Sequence, residues 1–195
     1  MADHKARNIP YRRKREGRTD YKKRLHLLLS SKARLTVRMS NSSVSSQIIV
    51  FEPKGDKVIA QAHSSALRKL GWKYSLKNYS AAYLVGLLLA KNAKSAGVGS
   101  ELILDTGFAT PRKGGKLYAL LKGALDGGLS INHGSAEIFP KEEKISGKVL
   151  VDFAVKLQAD SKELFAKRYS GILSQGADPT KMVEAFESVK KAISG

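Results

Sequence analysis

The sequence predicts an α/β fold: a mixed β-sheet with flanking helices in three layers, preceded by a basic N-terminal arm and followed by a helical C-terminal extension. Three observations support this prediction. Apolar and polar residues alternate in three segments between residues 33 and 64, as in half-buried strands. Helical and strand-like segments then alternate up to residue 139. The remaining chain is amphipathic at helical spacing. We therefore expect three parts, which are residues 1–32, 33–139 and 140–195.

The first part begins as an arm and ends as a helix. Eight Lys or Arg and only two acidic residues lie in the stretch IPYRRKREGRTDYKKRL. Pro10 and Gly17 interrupt regular structure, so we expect residues 1–17 to be an irregular arm that is mobile until it binds a partner. Thr19 or Asp20 is a suitable N-cap for a helix that runs to about residue 29.

Three antiparallel strands are predicted next. The first is indicated by ARLTVRMS, in which Leu35, Val37 and Met39 alternate with basic and hydroxyl side chains that we expect on an open face. Two further strands are indicated by VSSQIIVFE and KVIAQAHS. The turns NSS and PKGD are short enough to join all three strands as hairpins.

Helices and a buried strand are predicted between these hairpins and the C-terminal extension. A short connection or one helical turn is expected in HSSALRKLGW, and a long helix is expected from Asn78 or Ser80 to a stop at Gly97. Gly86 within this helix indicates close packing on the sheet. The short apolar segment ELILD predicts a strand with helices on both faces. A second helix is predicted by GKLYALLKGALDGG, and a small edge strand by LSINH.

The composition points to an anionic partner. The formal net charge is +18 and the sequence pI is about 10.1, which favours nucleic acid, an anionic membrane surface or an acidic protein as partner. Residues 1–40 carry 13 Lys or Arg and 3 Asp or Glu, so more than half of the excess charge lies in this first fifth. The longest apolar run is about half as long as a membrane span. Because the chain has no Cys, disulfides, thiolate zinc sites and a cysteine nucleophile are excluded.

The basic segments are candidate RNA-binding surfaces. The Arg guanidinium bridges phosphates and stacks on bases, and Tyr offers a stacking face. The candidate residues in the first part are Tyr11, Arg12, Arg13, Lys14, Arg15, Arg18, Tyr21, Lys22 and Arg24. The first hairpin adds hydroxyl and amide groups that suit phosphates and riboses. Its candidate residues are Arg34, Arg38, Ser40, Asn41, Ser42, Ser43 and Gln47. The alternatives are a solvated, disordered tail and an ordinary polar turn.

The loop TGFATPRKGGK is a weaker candidate. Its basic residues Arg112, Lys113 and Lys116 are candidate RNA contacts, and its glycines allow backbone N–H groups to approach a phosphate. The spacing of a Walker motif is absent, and a flexible basic loop remains the alternative. We expect His63 to make a structural hydrogen bond or to contact RNA.

Catalytic and cofactor sites are not expected. The four His residues are scattered without the short spacing of a metal-binding pair. Asp105, at the end of a predicted strand, is the best candidate in a metal-dependent RNA-processing enzyme, but such an enzyme needs several converging carboxylates. We therefore expect no catalytic residue, no metal, no cofactor and no small-molecule substrate. A general basic chaperone that binds RNA or DNA is the other alternative.

Several segments, in order along the chain, match one known family. They are YRRKREGRTDYKKRLHLL, ARLTVRMSNSSVSSQIIV, AHSSALRKLGW, NYSAAYLVGLLLA, ELILDTG and LKGALDGGLSINH. The chain resembles the archaeal branch of the family of universal large-subunit ribosomal protein eighteen, which binds 5S rRNA and has ribosomal protein L-five as its eukaryotic relative. The match spans about residues 8–133, and its most specific parts are RRKREGRTDY and RLTVRMSNSSV. The C-terminal third resembles archaeal members more loosely.

The resemblance implies a structural protein of the large ribosomal subunit, located in the cytoplasm and without catalytic activity. It implies that the arm and the sheet edge bind 5S rRNA and that the protein helps to attach 5S to 23S rRNA in the central protuberance. It also implies large-subunit ribosomal protein five as a neighbour. Within GRTDY, it implies that Arg18 contacts a phosphate and that Asp20 caps a helix or orients an Arg. TGFATPRKGGK departs from a fixed family pattern, so its basic residues are weaker assignments.

Overall fold

The computed structural model describes residues 9–99 and 101–195, so the first eight residues of the predicted arm lie outside the described residues. In chain order, the elements are α1 (Arg12–Arg15), α2 (Tyr21–Leu28), β1 (Ala33–Met39), β2 (Val44–Val50), β3 (Lys57–His63), α3 (Ala66–Lys69), α4 (Tyr79–Ser95), β4 (Leu102–Asp105), α5 (Lys116–Asp126), α6 (Glu142–Ser146), α7 (Lys148–Asp160), α8 (Lys162–Arg168), α9 (Ser170–Leu173) and α10 (Met182–Ser194), with 3₁₀ turns at Ala136–Ile138 and Pro179–Lys181. The predicted α/β class, with a mixed sheet, flanking helices and C-terminal helices, is confirmed.

The four strands form one mixed sheet in the order β3-β2-β1-β4. β1 pairs antiparallel with β2, with Leu35 opposite Ile48, and β2 pairs antiparallel with β3, as the short turns predict. β4 lies parallel to β1, with Leu104 opposite Leu35, so a long connection that includes α4 joins the hairpins to it. The segment LSINH forms an isolated bridge between Leu102 and Ile131. The predicted small edge strand is thus reduced to a single bridge beside β4 at the edge of the sheet.

One face of the sheet packs against α4, which in turn packs against α5, and the core lies between these layers. Leu35, Val37 and Ile48 lie on this face and are almost completely buried, because the period-two alternation places them on the same side. α4 begins after Asn78, whose side-chain oxygen accepts a hydrogen bond from the backbone N–H of Ala81 at 2.7 Å. The predicted N-cap at Asn78 is therefore confirmed.

Two glycines bring α4 and α5 into close contact. A Cβ atom added at Gly86 would lie 2.1 Å from the carbonyl oxygen of Leu120, and one added at Gly123 would lie 2.1 Å from the carbonyl oxygen of Tyr83. The two helix backbones can approach this closely because both positions lack a side chain. The prediction that Gly86 packs on the sheet is wrong, since its close neighbour is α5.

The other face of the sheet is polar, and the N-terminal segment (residues 9–28) lies over one end of it. Arg34, Thr36 and Arg38 share this face by strand alternation. Arg34 and Thr36 are buried, whereas Arg38 is exposed. The prediction of an open face is therefore wrong for the first half of β1, because α2 and the neighbouring loops cover it.

The C-terminal helices are separated by short breaks, and the last of them joins the core. Gly147 lies between α6 and α7 at φ +86°, a conformation that favours glycine. Ser161 accepts a hydrogen bond from the N–H of Leu164 at 3.4 Å at the start of α8. α10 packs on α4, where the Phe186 ring lies 5.7 Å from the Tyr83 ring. Within the described residues, no helix is both long enough and apolar enough to cross a membrane.

Candidate nucleic-acid interface

The N-terminal segment is ordered by contacts among its own side chains. The carboxylate of Glu16 pairs with Arg12 at 2.6 Å and with Arg18 at 3.1 Å. Arg13 Nε donates a hydrogen bond to Thr19 Oγ1 at 2.8 Å. The prediction of an irregular arm is wrong at α1, where residues 12–15 form one helical turn.

The basic side chains of this segment face solvent. The exposed cations are Arg12, Arg13, Lys14, Arg15, Arg18 and Lys22. The side chain of Arg12, for example, is 80% exposed. The ring of Tyr11 is also exposed and lies 5.3 Å from the half-buried ring of Tyr21. The segment therefore presents a cluster of positive charge and one aromatic face to a ligand.

α2 is tied to the loop that follows β4. Asp20 caps α2 by accepting a hydrogen bond from the backbone N–H of Lys23 at 3.0 Å, which confirms the predicted cap. Lys23 Nζ then donates to Thr106 Oγ1 and to the carbonyl oxygen of Gly107, each at 2.9 Å. These contacts fix the position of the helix that follows the basic residues.

Five charged residues form a cluster beneath α2, which we call the ion-pair cluster: Arg24, Arg34, Arg38, Asp56 and Asp105. Arg24 donates two hydrogen bonds to the Asp56 carboxylate, each at 2.8 Å, and Arg34 Nη2 donates a third at 2.7 Å. Arg34 Nη1 lies 3.4 Å from the Asp105 carboxylate. Arg38 Nη1 donates to the backbone carbonyl oxygen of Asp105 at 2.9 Å. The cluster therefore links α2, β1, the β2–β3 hairpin and the end of β4.

Arg34 is the most deeply buried member of the cluster. Its side chain is only 3% exposed. A buried charge is costly unless carboxylates pair with it, and Asp56 and Asp105 meet that requirement. The guanidinium of Arg34 faces these two carboxylates, so the geometry does not favour a direct contact with RNA, and that predicted contact stays an untested prediction. Arg24, another predicted contact, is also engaged by Asp56. Both are positioning residues in this structure.

The cluster changes the pKa values of two of its members. The hydrogen bond from Arg24 is the main reason that the pKa of Asp56 lies below its ordinary value of 3.8. Burial opposes this shift, and the hydrogen bond and charge of Arg34 reinforce it. The same hydrogen bond to Asp56 raises the pKa of Arg24. Both groups are therefore charged at neutral pH, and their attraction holds α2 on the sheet.

Two cavities lie beside the ion-pair cluster. One has a volume of about 210 Å³ and is lined by the cluster and by the N-terminal segment. The other, which we call the loop groove, has a volume of about 510 Å³ and lies between β1 and the loop after β4. The loop groove is lined by Arg18, Arg38, Arg112, Lys116 and Phe108, whose side chain is 59% exposed. Because Arg18 and Arg38 line both cavities, the segment, β1 and the loop form one continuous basic surface.

The glycines of the loop do not provide the phosphate cradle considered from the sequence. The N–H of Gly114 donates to the carbonyl oxygen of Ile138 at 2.8 Å, and the N–H of Gly115 donates to that of Arg112 at 2.9 Å. Neither group is therefore available to a phosphate. The geometry favours the alternative interpretation, a basic loop that ends at a helix.

The three basic residues of the loop differ in their surroundings. Arg112 is exposed at the loop groove. Lys113 is also exposed and lies 3.9 Å from the Glu137 carboxylate. The ammonium group of Lys116 lies 5.9 Å from the centre of the Tyr79 ring. Arg112 and Lys116 thus line the loop groove, whereas Lys113 lies outside its lining and stays exposed beside Glu137.

In the turn between β1 and β2, some of the side chains predicted to bind RNA form hydrogen bonds within the turn itself. Ser40 Oγ accepts hydrogen bonds from the N–H groups of Ser43 at 2.9 Å and Ser42 at 3.3 Å. It also lies 2.8 Å from the Ser43 hydroxyl. Asn41 and the Ser42 side chain remain exposed. On β2, the Gln47 amide donates a 3.4 Å hydrogen bond to the facing Gln of β3.

His63 lies at the other end of the polar face. Its Nδ1 is 2.7 Å from Ser65 Oγ, so the structural hydrogen bond that we considered is present. It lines a separate groove together with Ser42 and Ser43. The structure thus gathers most of the predicted residues around β1 and the loop, but places His63 apart from them.

Reasoning from the sequence missed several basic or aromatic residues at these surfaces, namely Lys23, Phe108, Arg68, Lys73 and Arg168. The hydroxyl partner of Lys23 lies 83 residues further along the chain, so no local pattern reveals the contact. Phe108, in contrast, could have been found from the sequence. It lies in a loop that contains Gly, Pro and Arg and has no helical or strand pattern that would place its ring in the core. That context is a usable sign of an exposed stacking residue.

Asp105, the candidate of the alternative enzyme hypothesis, is engaged as a counter-ion. It pairs with two Arg residues of the ion-pair cluster, and its Oδ1 accepts a hydrogen bond from the N–H of Gly107 at 2.8 Å. Across residues 9–99 and 101–195, no three His, Asp or Glu side chains are grouped so that they could hold a metal ion. The arrangement around Asp105 is suited to holding arginines in place.

Comparison with known proteins gives the family. Large ribosomal subunit protein uL18 of Korarchaeum cryptofilum (strain OPF8) is 48% identical to this chain over 186 residues, which cover 95% of the chain and 93% of the relative. The chain belongs to the uL18 family. A family model described as "Ribosomal large subunit proteins 60S L5, and 50S L18" matches residues 5–101, and thus contains the basic segment, the hairpins and α4.

Membership of the uL18 family confirms the resemblance inferred from the sequence motifs. A member of this family is a structural constituent of the large ribosomal subunit and not an enzyme. Its partners are ribosomal RNA and other ribosomal proteins, which accounts for a net charge of +18. The similarity to the archaeal uL18 relative also extends through most of the C-terminal helices, beyond the range of the family model.

Proposed function

We propose that the chain binds 5S rRNA through the continuous basic surface formed by the N-terminal segment, β1 and the loop after β4. It helps to attach 5S rRNA to 23S rRNA in the central protuberance, beside large-subunit ribosomal protein five. One observation supports this most strongly. The exposed cations of residues 12–18 lead into α2, and the ion-pair cluster, with Arg34 buried at its centre, anchors α2 to the sheet beside the loop groove. A solvated tail would need no such anchor.

The affinity is electrostatic in origin. Phosphates that pair with the exposed Arg and Lys side chains release condensed counterions, which favours binding at low salt. Arg is suited to this role because its planar guanidinium bridges two phosphate oxygens. The residues proposed to contact RNA backbone are Arg12, Arg13, Lys14, Arg15, Arg18, Lys22, Arg38, Asn41, Ser42, Arg112, Lys113 and Lys116.

Specificity comes from the shape of the folded RNA and from unpaired bases. Side chains cannot read the deep major groove of A-form RNA, but they stack on bases that are splayed out of loops and bulges. The exposed rings of Tyr11 and Phe108 are available for such stacking. Tyr21 supports the Tyr11 ring from behind. Arg24 and Arg34 act indirectly, by holding α2 against β1 through Asp56.

A gel-shift titration with 5S rRNA and with a tRNA of similar length tests the proposal. We expect tighter binding to 5S rRNA, because generic charge attraction does not distinguish two RNAs of equal length. If about six to eight phosphates are neutralised, the slope of log K against log salt should lie between about −4 and −7. Equal affinity for the two RNAs would refute specific recognition. Co-sedimentation of labelled 5S rRNA with 23S rRNA, with and without the chain, tests the attachment.

Charge-removing variants locate the contact. In the variant Arg12→Gln/Arg13→Gln/Arg15→Gln, the slope of log K against log salt should be smaller in magnitude by about 2–3 than in the wild type. The matched control removes the same charge from the layer of helices beyond α4, where three other lysines are exposed. This control variant is Lys141→Gln/Lys144→Gln/Lys191→Gln. An unchanged slope in the arginine variant, or an equal loss in the control, would contradict a role for the N-terminal segment.

A further inference from the structure

A second basic groove lies between the end of the sheet and the C-terminal helices. We call it the C-terminal groove; it has a volume of about 580 Å³, and Ser42, His63, Arg68, Lys73, Arg168 and Gln175 are among its lining residues. Among residues 9–99 and 101–195, neither Asp nor Glu occurs in its lining. A groove that combines three cations with hydroxyl and amide groups, and that has no carboxylate in its wall, is suited to a polyanion.

The cations of the C-terminal groove are available to a ligand. Arg68, Lys73 and Arg168 are all exposed, and in the part of the chain that the structure describes none of them forms an ion pair. The guanidinium of Arg168 lies 5.0 Å from the centre of the Phe153 ring, a contact that orients it while leaving its charge uncompensated. The groove therefore carries three positive charges without internal counter-ions, in contrast to the ion-pair cluster.

A row of polar side chains connects the two basic regions. Arg38 of β1 lies opposite Ser45 of β2, and Ser45 lies opposite His63 of β3. These three residues share the polar face of the sheet and span two strand spacings, or about 10 Å. Arg38 lines the loop groove, and His63 lines the C-terminal groove. No apolar barrier separates the regions along this row.

We propose that the C-terminal groove binds the sugar–phosphate backbone of the same RNA that the N-terminal segment holds. The RNA then lies along the polar face of the sheet, with Arg38, Ser45 and His63 beneath it. Arg68 and Lys73 contact it from the body of the protein, and Arg168 contacts it from α8. The RNA thereby clamps the C-terminal helices to the sheet. This inference rests on the proposed RNA-binding function and assigns a second contact region to it.

The test compares two triple variants of the full chain in titrations with 5S rRNA. Arg68→Gln/Lys73→Gln/Arg168→Gln should reduce the magnitude of the salt slope by about 2–3 and weaken binding about tenfold or more at about 50 mM salt. The control variant Lys141→Gln/Lys144→Gln/Lys191→Gln removes the same charge and should bind as the wild type does. Wild-type affinity and slope in the groove variant would overturn the inference, as would an equal loss in the control.

A directed-cleavage experiment gives an independent readout. Because the chain has no Cys, Gly171→Cys creates a unique attachment point for an iron chelate that generates hydroxyl radicals. Gly171 lines the groove, and an added Cβ there meets no atom within 4 Å. We expect RNA cleavage from this position, and a loss of that cleavage when the three groove cations are replaced. The absence of cleavage in a bound complex would overturn the inference.

The two proposals fail in distinguishable ways. If the wild type binds 5S rRNA no better than tRNA, the proposed function fails. The C-terminal groove is then tested with the RNA that the chain does bind, by comparing the affinity and the salt slope of the groove variant with those of the control variant. If 5S rRNA is bound specifically but the groove variant behaves like the control, the groove assignment alone fails.

Discussion

Removal of the Asp56 charge tests whether the ion-pair cluster anchors the N-terminal segment. Asp56 accepts three hydrogen bonds, two from Arg24 at 2.8 Å and one from Arg34 at 2.7 Å. Asp56→Asn keeps the size of the side chain but replaces one acceptor oxygen with an NH₂ group that faces the arginines. The nearest remaining carboxylate for Arg34 is then Asp105, at 3.4 Å.

The expected loss of stability follows from the burial of Arg34. Loss of one partner from a fully buried ion pair costs about 3–5 kcal/mol, because an uncompensated charge stays behind. Here Asp105 retains part of the compensation, and the Asp56 side chain is 24% exposed. We therefore expect the unfolding free energy to fall by about 2–3 kcal/mol. Glu52→Gln is the matched control in the same hairpin, since it removes an exposed pair with Lys57 at 4.0 Å and should cost less than about 0.5 kcal/mol.

Urea denaturation followed by tryptophan fluorescence measures both variants. Trp72 is the single Trp of the chain and is 1% exposed in the folded protein, so its emission reports unfolding of the core. The double variant Arg34→Met/Asp56→Asn should be more stable than Asp56→Asn alone, because it no longer buries an under-compensated charge. If Asp56→Asn destabilises the chain no more than Glu52→Gln does, the buried cluster is not an anchor and the reasoning is refuted.

Three further predictions concern packing, pH and base stacking. Gly86→Ala should cost about 3 kcal/mol or more, since its Cβ would lie 2.1 Å from a carbonyl oxygen, whereas Gly171→Ala, with open space at its Cβ, should cost less than about 0.5 kcal/mol in urea denaturation. The lowered folded-state pKa of Asp56 means that its stabilising effect is present above the ordinary value of 3.8 and is lost as pH falls through the folded-state value. The stability difference between wild type and Asp56→Asn should therefore shrink as pH falls below the ordinary value of 3.8; a constant difference would contradict this linkage. Phe108→Ala should weaken 5S rRNA binding by about 1–3 kcal/mol with an unchanged salt slope, whereas Phe51→Ala, which removes a comparably exposed ring from the β2–β3 hairpin, should have no effect in the same gel-shift assay.

Features of the fold that depend on neighbouring residues were predictable from the sequence. The alternation in ARLTVRMS and VSSQIIVFE places β1 and β2 correctly, and the caps at Asp20 and Asn78 form the expected hydrogen bonds. Each of these features depends on residues that are close together in the sequence. The strands follow from the alternation of adjacent side chains, and each cap accepts a hydrogen bond from an N–H group three residues further on. The short turns then leave little choice in how the strands of the hairpins pair.

Features that depend on distant residues were not predictable in this way. Gly86 signals a close approach, but the sequence does not say whether the partner is the sheet or α5. Arg34 and Arg38 have the same place in the alternating pattern, yet one is buried and the other is exposed. The difference arises because the partners of Arg34 lie 22 and 71 residues further along the chain, at Asp56 and Asp105.

The sequence by itself determined how much positive charge the chain carries, where it is concentrated and which residues alternate into strands, because these properties are set by composition and local spacing. Tertiary structure alone decided which cations remain available to RNA. Folding brings Asp56 and Asp105 against Arg24 and Arg34, and it leaves the Arg12 side chain open to solvent. The physical reason is that the strength of a charge–charge contact depends on separation in space and on exposure to water, neither of which is encoded by position along the chain.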